Sequence, residues 1–157
     1  MALRMFIHGL ESNNQGTKAI YFREKFPGML TPNFPGPLDE RMARLQAILS
    51  GKSDILMVGS SFGGLMASIF AMENEPNVSK LILLAPAINL MEFTPYRQRK
   101  TLMPVHIYHG RQDEVIPISD VEEVAKQVFS NLAFNTVDDD HYLHKTFKTI
   151  GWDSLLT

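Results

Sequence analysis

Short apolar runs alternate along this chain with stripes of helical period, a pattern that predicts βα units around a mostly parallel sheet. Leu3 to His8 is the first apolar run and reads as a strand. Behind it Ala19, Phe22 and Phe26 fall on one helical face, and Pro27-Gly28 ends the pattern. Met29 to Thr31 offers a short second strand. The next helix carries the stripe Leu38, Met42, Leu45 and Leu49. It opens with Pro37 at its first position and with Asp39 and Glu40 in the first turn, where carboxylates oppose the positive end of the helix dipole, and it stops at Ser50-Gly51. Ile55 to Val58, Leu81 to Leu84 and Val105 to His109 are continuously apolar, as strands covered on both faces are. Ser119 and Glu122 have capping-box spacing ahead of the stripe Val121, Val124 and Val128. Phe134 to Val137 reads as the last strand, and the tail from Tyr142 as a closing helix.

One junction in this series carries chemistry. The strand at Ile55 runs into Gly59-Ser60-Ser61-Phe62-Gly63, a G-x-S-x-G motif, and a helical pattern follows from Leu65 to Met72. A strand, this motif and a helix in succession form a nucleophile elbow, in which a sharp turn holds the central serine in a strained conformation at the carboxyl edge of the sheet. The flanking glycines lack the β-carbons that would collide there. Ser61 is thus a candidate nucleophile, and Ser60 its bystander. The plain alternative makes Ser61 an ordinary N-cap of the helix beginning near Phe62.

A serine hydroxyl attacks well only when a base takes its proton and a carboxylate fixes that base's tautomer. Both partners are available downstream. After the strand ending near His109 comes Gly110-Arg111-Gln112-Asp113-Glu114-Val115-Ile116-Pro117, with Asp113 in a turn. After the last strand comes Asp138-Asp139-Asp140-His141. Glu114 and Asp120 rival Asp113 for the acid, and a local turn role for Asp113 stays open. His144, which could share a helical face with His141, rivals it for the base. His8, His106 and His109 read as structural histidines, two of them bracing loops at strand ends, and the three aspartates as a solvated loop.

With its G-x-S-x-G elbow, its G-x-x-D-x-x-I-P loop at Gly110 to Pro117 and its Asp140-His141 pair, the chain resembles the α/β-hydrolase family over nearly its whole length. In length and layout it is similar to compact bacterial esterases of the YqiA/YcfP-like type. The resemblance implies a three-layer fold with helices on both faces of a mostly parallel sheet of about six strands, lacking the two leading strands and the large cap domain of bigger members. It further implies that His8-Gly9-Leu10 is the oxyanion loop, with the backbone N–H groups of Leu10 and Phe62 as the two donors. The implied chemistry is acyl transfer from a small to medium ester or thioester to water. The same scaffold also serves perhydrolysis and C–C bond cleavage, and a hydrolase-like domain can be a binding protein, since fold alone does not set function.

Ala87 to Met103 is the one connection long enough to cover the cleft, and its Ile88, Leu90, Met91 and Phe93 either line an acyl pocket or pack on the sheet. Arg97, Arg99 and Lys100 either meet an anionic substrate or form a solvated cluster. The 157 residues suit a single domain spanning 1–157. A net charge of -2 gives no attraction to nucleic acid or to anionic lipid, so neither is an expected partner. The chain has no cysteine, which rules out disulfides, thiolate metal sites and a cysteine nucleophile. No histidine spacing suggests a metal and no glycine-rich phosphate loop appears, so no cofactor is expected. Met1 to Gly9 is too short an apolar run for a signal peptide or a membrane span, which leads to the expectation of a cytoplasmic protein, a monomer or a small homo-oligomer.

Overall fold

The computed structural model describes residues 2–157 and shows a sheet of five parallel strands in the spatial order of the sequence: β1 (Leu3–Ile7), β2 (Ile55–Ser60), β3 (Val78–Leu84), β4 (Thr101–Gly110) and β5 (Phe129–Val137). Parallel neighbours need crossover connections. These are α1 (Thr17–Lys25) and α2 (Leu38–Leu49) between β1 and β2, α3 (Phe62–Glu73) between β2 and β3, a short 3-10 helix at Met91–Tyr96 between β3 and β4, and α4 (Ile118–Val128) between β4 and β5. Among the described residues no helix is long and apolar enough to cross a membrane.

Residues alternate across the strands and feed two cores. On one face Met5, Ile7, Met57, Leu81, Leu83, Val105 and Ile107 pack with α2, α3 and α4. On the other, Phe6, Leu56, Val58, Ile82 and Leu84 pack with Ala19 and Phe22 of α1 and with Leu143, Phe147, Trp152 and Leu156 of the tail. Helix α3 lies under cover on all sides and is buried from Phe62 to Met72. A helix so enclosed needs no polar face, which explains its almost wholly apolar sequence.

Several expectations are corrected. The sixth strand is missing: Met29 to Thr31 is reduced to one bridge between Leu30 and Met5. Gly28 turns the chain with φ +90 just before it, and Pro32 and Pro35 just after lack the N–H groups a ladder needs. The Ser119–Glu122 capping box does not form. Pro117 occupies the cap position and makes Ser119 an interior first-turn residue, without a side-chain cap bond. Pro37 likewise stands at the cap of α2, one position ahead of the expected one. The closing helix is only a 3-10 turn at Phe147–Thr149 and the four-residue α5 (Trp152–Leu155). There the docking of Phe147 and Trp152 against Phe22, with ring centroids 5.6 and 4.8 Å away, sets the backbone.

Candidate active site

Ser61 sits between β2 and α3 with φ 56 and ψ -116, a region that a residue with a β-carbon rarely enters. Such strain persists only where surrounding bonds over-determine it. Here the Ser61 N–H donates to Leu84 O at 2.9 Å, and the Ser61 carbonyl accepts from the N–H groups of Gly64 (2.9 Å), Ala87 (3.0 Å) and Leu65 (3.2 Å). The two motif glycines are required by close approach. A β-carbon on Gly59 would strike the Gly63 backbone, and one on Gly63 would strike the carbonyl oxygens of Ile7 and His8. Ser61 holds the cap position of α3, yet its hydroxyl makes no cap bond.

That hydroxyl lies instead 3.1 Å from His141 Nε2, and His141 Nδ1 lies 2.7 Å from Asp113 Oδ2. Three side chains from three loops at the carboxyl edge of the sheet thus meet in one line. The Asp113 carboxylate is buried and further fixed by the N–H groups of Val115 (2.9 Å) and Ile116 (2.7 Å), both on Oδ1. With Asp113 ionised, Nδ1 of His141 must carry the proton, and Nε2 then turns its lone pair to Ser61. The rivals lie elsewhere. His144 is exposed and pairs through Nδ1 with Asp140 Oδ2 at 2.7 Å, and neither Glu114 nor Asp120 bonds a histidine.

Around this line stand groups that sequence reading understated. Asp139 was read as part of a solvated loop, but it is buried and accepts four bonds: from the Asp140, Lys145 and Thr146 N–H groups and from Thr146 Oγ1, at 2.8 to 2.9 Å. Burial alone would push its carboxyl up, and these bonds outweigh burial and hold it below the usual range. Asp139 therefore staples the loop that presents His141. His109 is also buried; its Nε2 donates to Ile116 O at 2.8 Å and stands 3.2 Å from Asp113 Oδ2, while its Nδ1 has no partner. Burial, foremost, lowers its pKa and keeps it neutral. His106, on β4, is likewise lowered, first by burial.

The loop after β1 is built by His8. Its Nδ1–H donates to Gly9 O at 2.8 Å, and its Nε2 accepts the Phe34 N–H at 2.9 Å. Both bonds suit a neutral ring, and burial lowers its pKa accordingly. Gly9 O and the Leu10 N–H belong to one peptide plane and point in opposite directions, so anchoring the first aims the second. The Leu10 N–H donates no backbone bond, and the Phe62 N–H, at the first position of α3, has no acceptor a turn earlier.

Ser61, Phe62, His141 and Leu10 line a cleft of about 700 Å³, together with Leu90, Val115, Ile116, Tyr142, Lys18 and Lys148 among others. Of the expected pocket residues only Leu90 is there. Ile88 and Phe93 are fully buried in the core, where Phe93 stacks on Tyr96 at 5.7 Å, and Met91 is 84% exposed. A 3-10 turn, not a longer helix, spaces Met91 and Phe93 and sends them to different environments. Arg99 caps the Met72 carbonyl at 3.1 Å, and none of Arg97, Arg99 and Lys100 lines the cleft. Among the described residues no group of three or more His, Asp or Glu side chains is arranged to hold a metal ion.

Solved structures share this architecture. Est1E from Butyrivibrio proteoclasticus, in a structure with ferulic acid bound, matches at a TM-score of 0.80 and 19% identity, over 99% of this chain and 86% of that one. An alpha-beta serine hydrolase homologue from Coxiella burnetii matches at 0.79 and 20%, over 98% and 83%. An esterase from Exiguobacterium antarcticum matches at 0.79 and 13%, over 99% and 91%. No protein-family model and no curated protein matches the chain. The chain has the α/β-hydrolase fold.

Proposed function

We propose that this chain is a serine hydrolase that cleaves carboxylic ester or thioester bonds, with Ser61 as nucleophile, His141 as base and Asp113 as its orienting acid. One observation carries the reading: the continuous contact from Ser61 Oγ through both nitrogens of His141 to Asp113, with the serine in a strained elbow. In the first half-reaction the Ser61 proton passes to His141 Nε2 as Oγ bonds to the substrate carbonyl carbon. The carbonyl π electrons move onto oxygen, which the Leu10 and Phe62 N–H groups receive; removing one such donor costs about 3 kcal/mol in a comparable site. The tetrahedral species collapses, the bond to the leaving alkoxide or thiolate breaks, and His141 returns the proton to it. Water then repeats the sequence and releases the acid.

A cleft of about 700 Å³ lies in the range of small-molecule sites and suits a small to medium acyl group. Its apolar members Leu10, Leu90, Val115 and Ile116 favour an uncharged acyl chain there. The chemistry draws on protein groups alone. The test is labelling by a fluorophosphonate probe: the protein is expected to react and Ser61→Ala to be inert, and equal labelling of that variant would refute the assignment. His141→Ala should lose far more turnover than His144→Ala; the reverse ranking would move the base to His144.

A further inference from the structure

Arg41 is 3% exposed, and no carboxylate among the described residues lies within 4.0 Å of it to form an ion pair. A buried cation without a counter-ion is costly, and side chains of similar length without charge could fill the same space. It projects from α2 and touches two backbone carbonyls and one aromatic ring. Nε donates to Gly36 O at 2.7 Å, Nη2 donates to Leu10 O at 3.3 Å, and the guanidinium carbon stands 5.3 Å over the centre of the Phe62 ring. Nη1 is buried with no partner.

Two of those contacts fall on the residues whose N–H groups face the reacting carbonyl in the reading above, on which this inference rests. Leu10 cannot hold itself in place by packing, because its side chain is 49% exposed at the mouth of the cleft. His8 fixes the peptide before Leu10 and Arg41 the peptide after it. Phe62, at the start of α3, carries the same guanidinium over its ring within cation–π distance, so one rigid planar group reaches both sides of the hole. We propose that Arg41 is a positioning residue for the oxyanion hole, holding the Leu10 and Phe62 donors at a set separation through one carbonyl bond and one cation–π contact.

The test uses a peptidyl-free aryl trifluoromethyl ketone, which adds to a reactive serine as a hemiketal whose oxygen occupies the hole. Arg41→Met and Arg41→Lys are compared with the parent protein, each concentration being set by stoichiometric fluorophosphonate titration so that only folded sites count. Misplacement of a donor by about 1 Å costs up to about a hundredfold, so kcat is expected to fall about ten- to a hundredfold. KM should stay unchanged, and the hemiketal hydroxyl, followed by the ¹³C shift of a labelled carbonyl carbon, should ionise at higher pH. A purely structural role would lower the melting temperature without moving that ionisation. Arg41→Lys keeps length and charge and so covers the case in which Arg41→Met does not fold; a lysine variant with parental kcat and parental hemiketal ionisation would overturn the proposal. A parent protein that forms no Ser61-dependent hemiketal would overturn the hydrolase reading, and this inference with it.

Discussion

Asp113→Asn separates the orienting role of the carboxylate from its packing. The amide has the same shape but one acceptor and one donor end. Two backbone N–H groups converge on Oδ1 at 2.9 and 2.7 Å, so the amide oxygen should stay there and the NH2 group should take the Oδ2 position. At that position it meets His141 Nδ1 at 2.7 Å. A donor facing Nδ1 forces the imidazole into the tautomer with its proton on Nε2, which then points an N–H at Ser61 Oγ and has no lone pair for its proton. The same tautomer trap in a serine protease costs roughly ten-thousandfold in kcat, or about 5 kcal/mol of transition-state stabilisation. Hydrolysis of a p-nitrophenyl ester under saturating substrate reads kcat directly, and urea unfolding checks that stability is within about 1 kcal/mol of the parent, as an isosteric change allows. A variant retaining kcat within about threefold, a difference of under about 1 kcal/mol, would refute the role of Asp113.

Asp139→Ala should destabilise the fold by about 2 kcal/mol, because it leaves three part-buried N–H groups and a hydroxyl without their charged acceptor, and urea titration measures this. A loss below about 1 kcal/mol would mean the loop before His141 is held by something else. Gly63→Ala should cost about 3 kcal/mol or abolish folding, since the added methyl meets backbone carbonyls of β1 that cannot retreat; a stable, active variant would argue against this elbow geometry. His8 and His109 are both held below the ordinary histidine value of 6.5, chiefly by burial. Their unfolded forms take up protons first as pH falls, so the stability these neutral rings contribute is complete above pH 6.5 and declines as pH drops through their folded values. Urea midpoints should fall between pH 7.5 and 5.5, His8→Asn should flatten the slope, and an unchanged slope would refute the assignment.

What could be read from the chain depended on how local the cause was. Strands β2 and β3, covered on both faces, announced themselves as apolar runs within a few residues of their bounds. Strand β5 is an edge strand with only Phe129 fully buried, so its first half, Phe129 to Ala133, carried no such run and was missed. The meeting of Ser61, His141 and Asp113 could be anticipated because each follows a strand by a short loop, Ser61 within a G-x-S-x-G turn. Met91 and Phe93 were not separable, because their fates turn on whether the backbone there is 3-10 or α.

The buried polar groups behind the site were the hardest to read, and Arg41 shows why. It lies three residues after Leu38 and four before Leu45, so it falls within the apolar stripe of α2, at a position where an arginine breaks the pattern. That break was a visible signal, but periodicity cannot say which carbonyls such a side chain will find thirty residues away. Its partners, Leu10 and Phe62, come from segments on either side of α2 in the sequence, and only the sheet brings them to one place. The loops after β4 and β5 are likewise joined only in the fold, by the contact of Asp113 with His141 and by the Gln112 N–H on the Asp139 carbonyl. A charged residue on the inward face of a helix is therefore a marker to follow into the fold, where its partners decide between a packing fault and a support for the site.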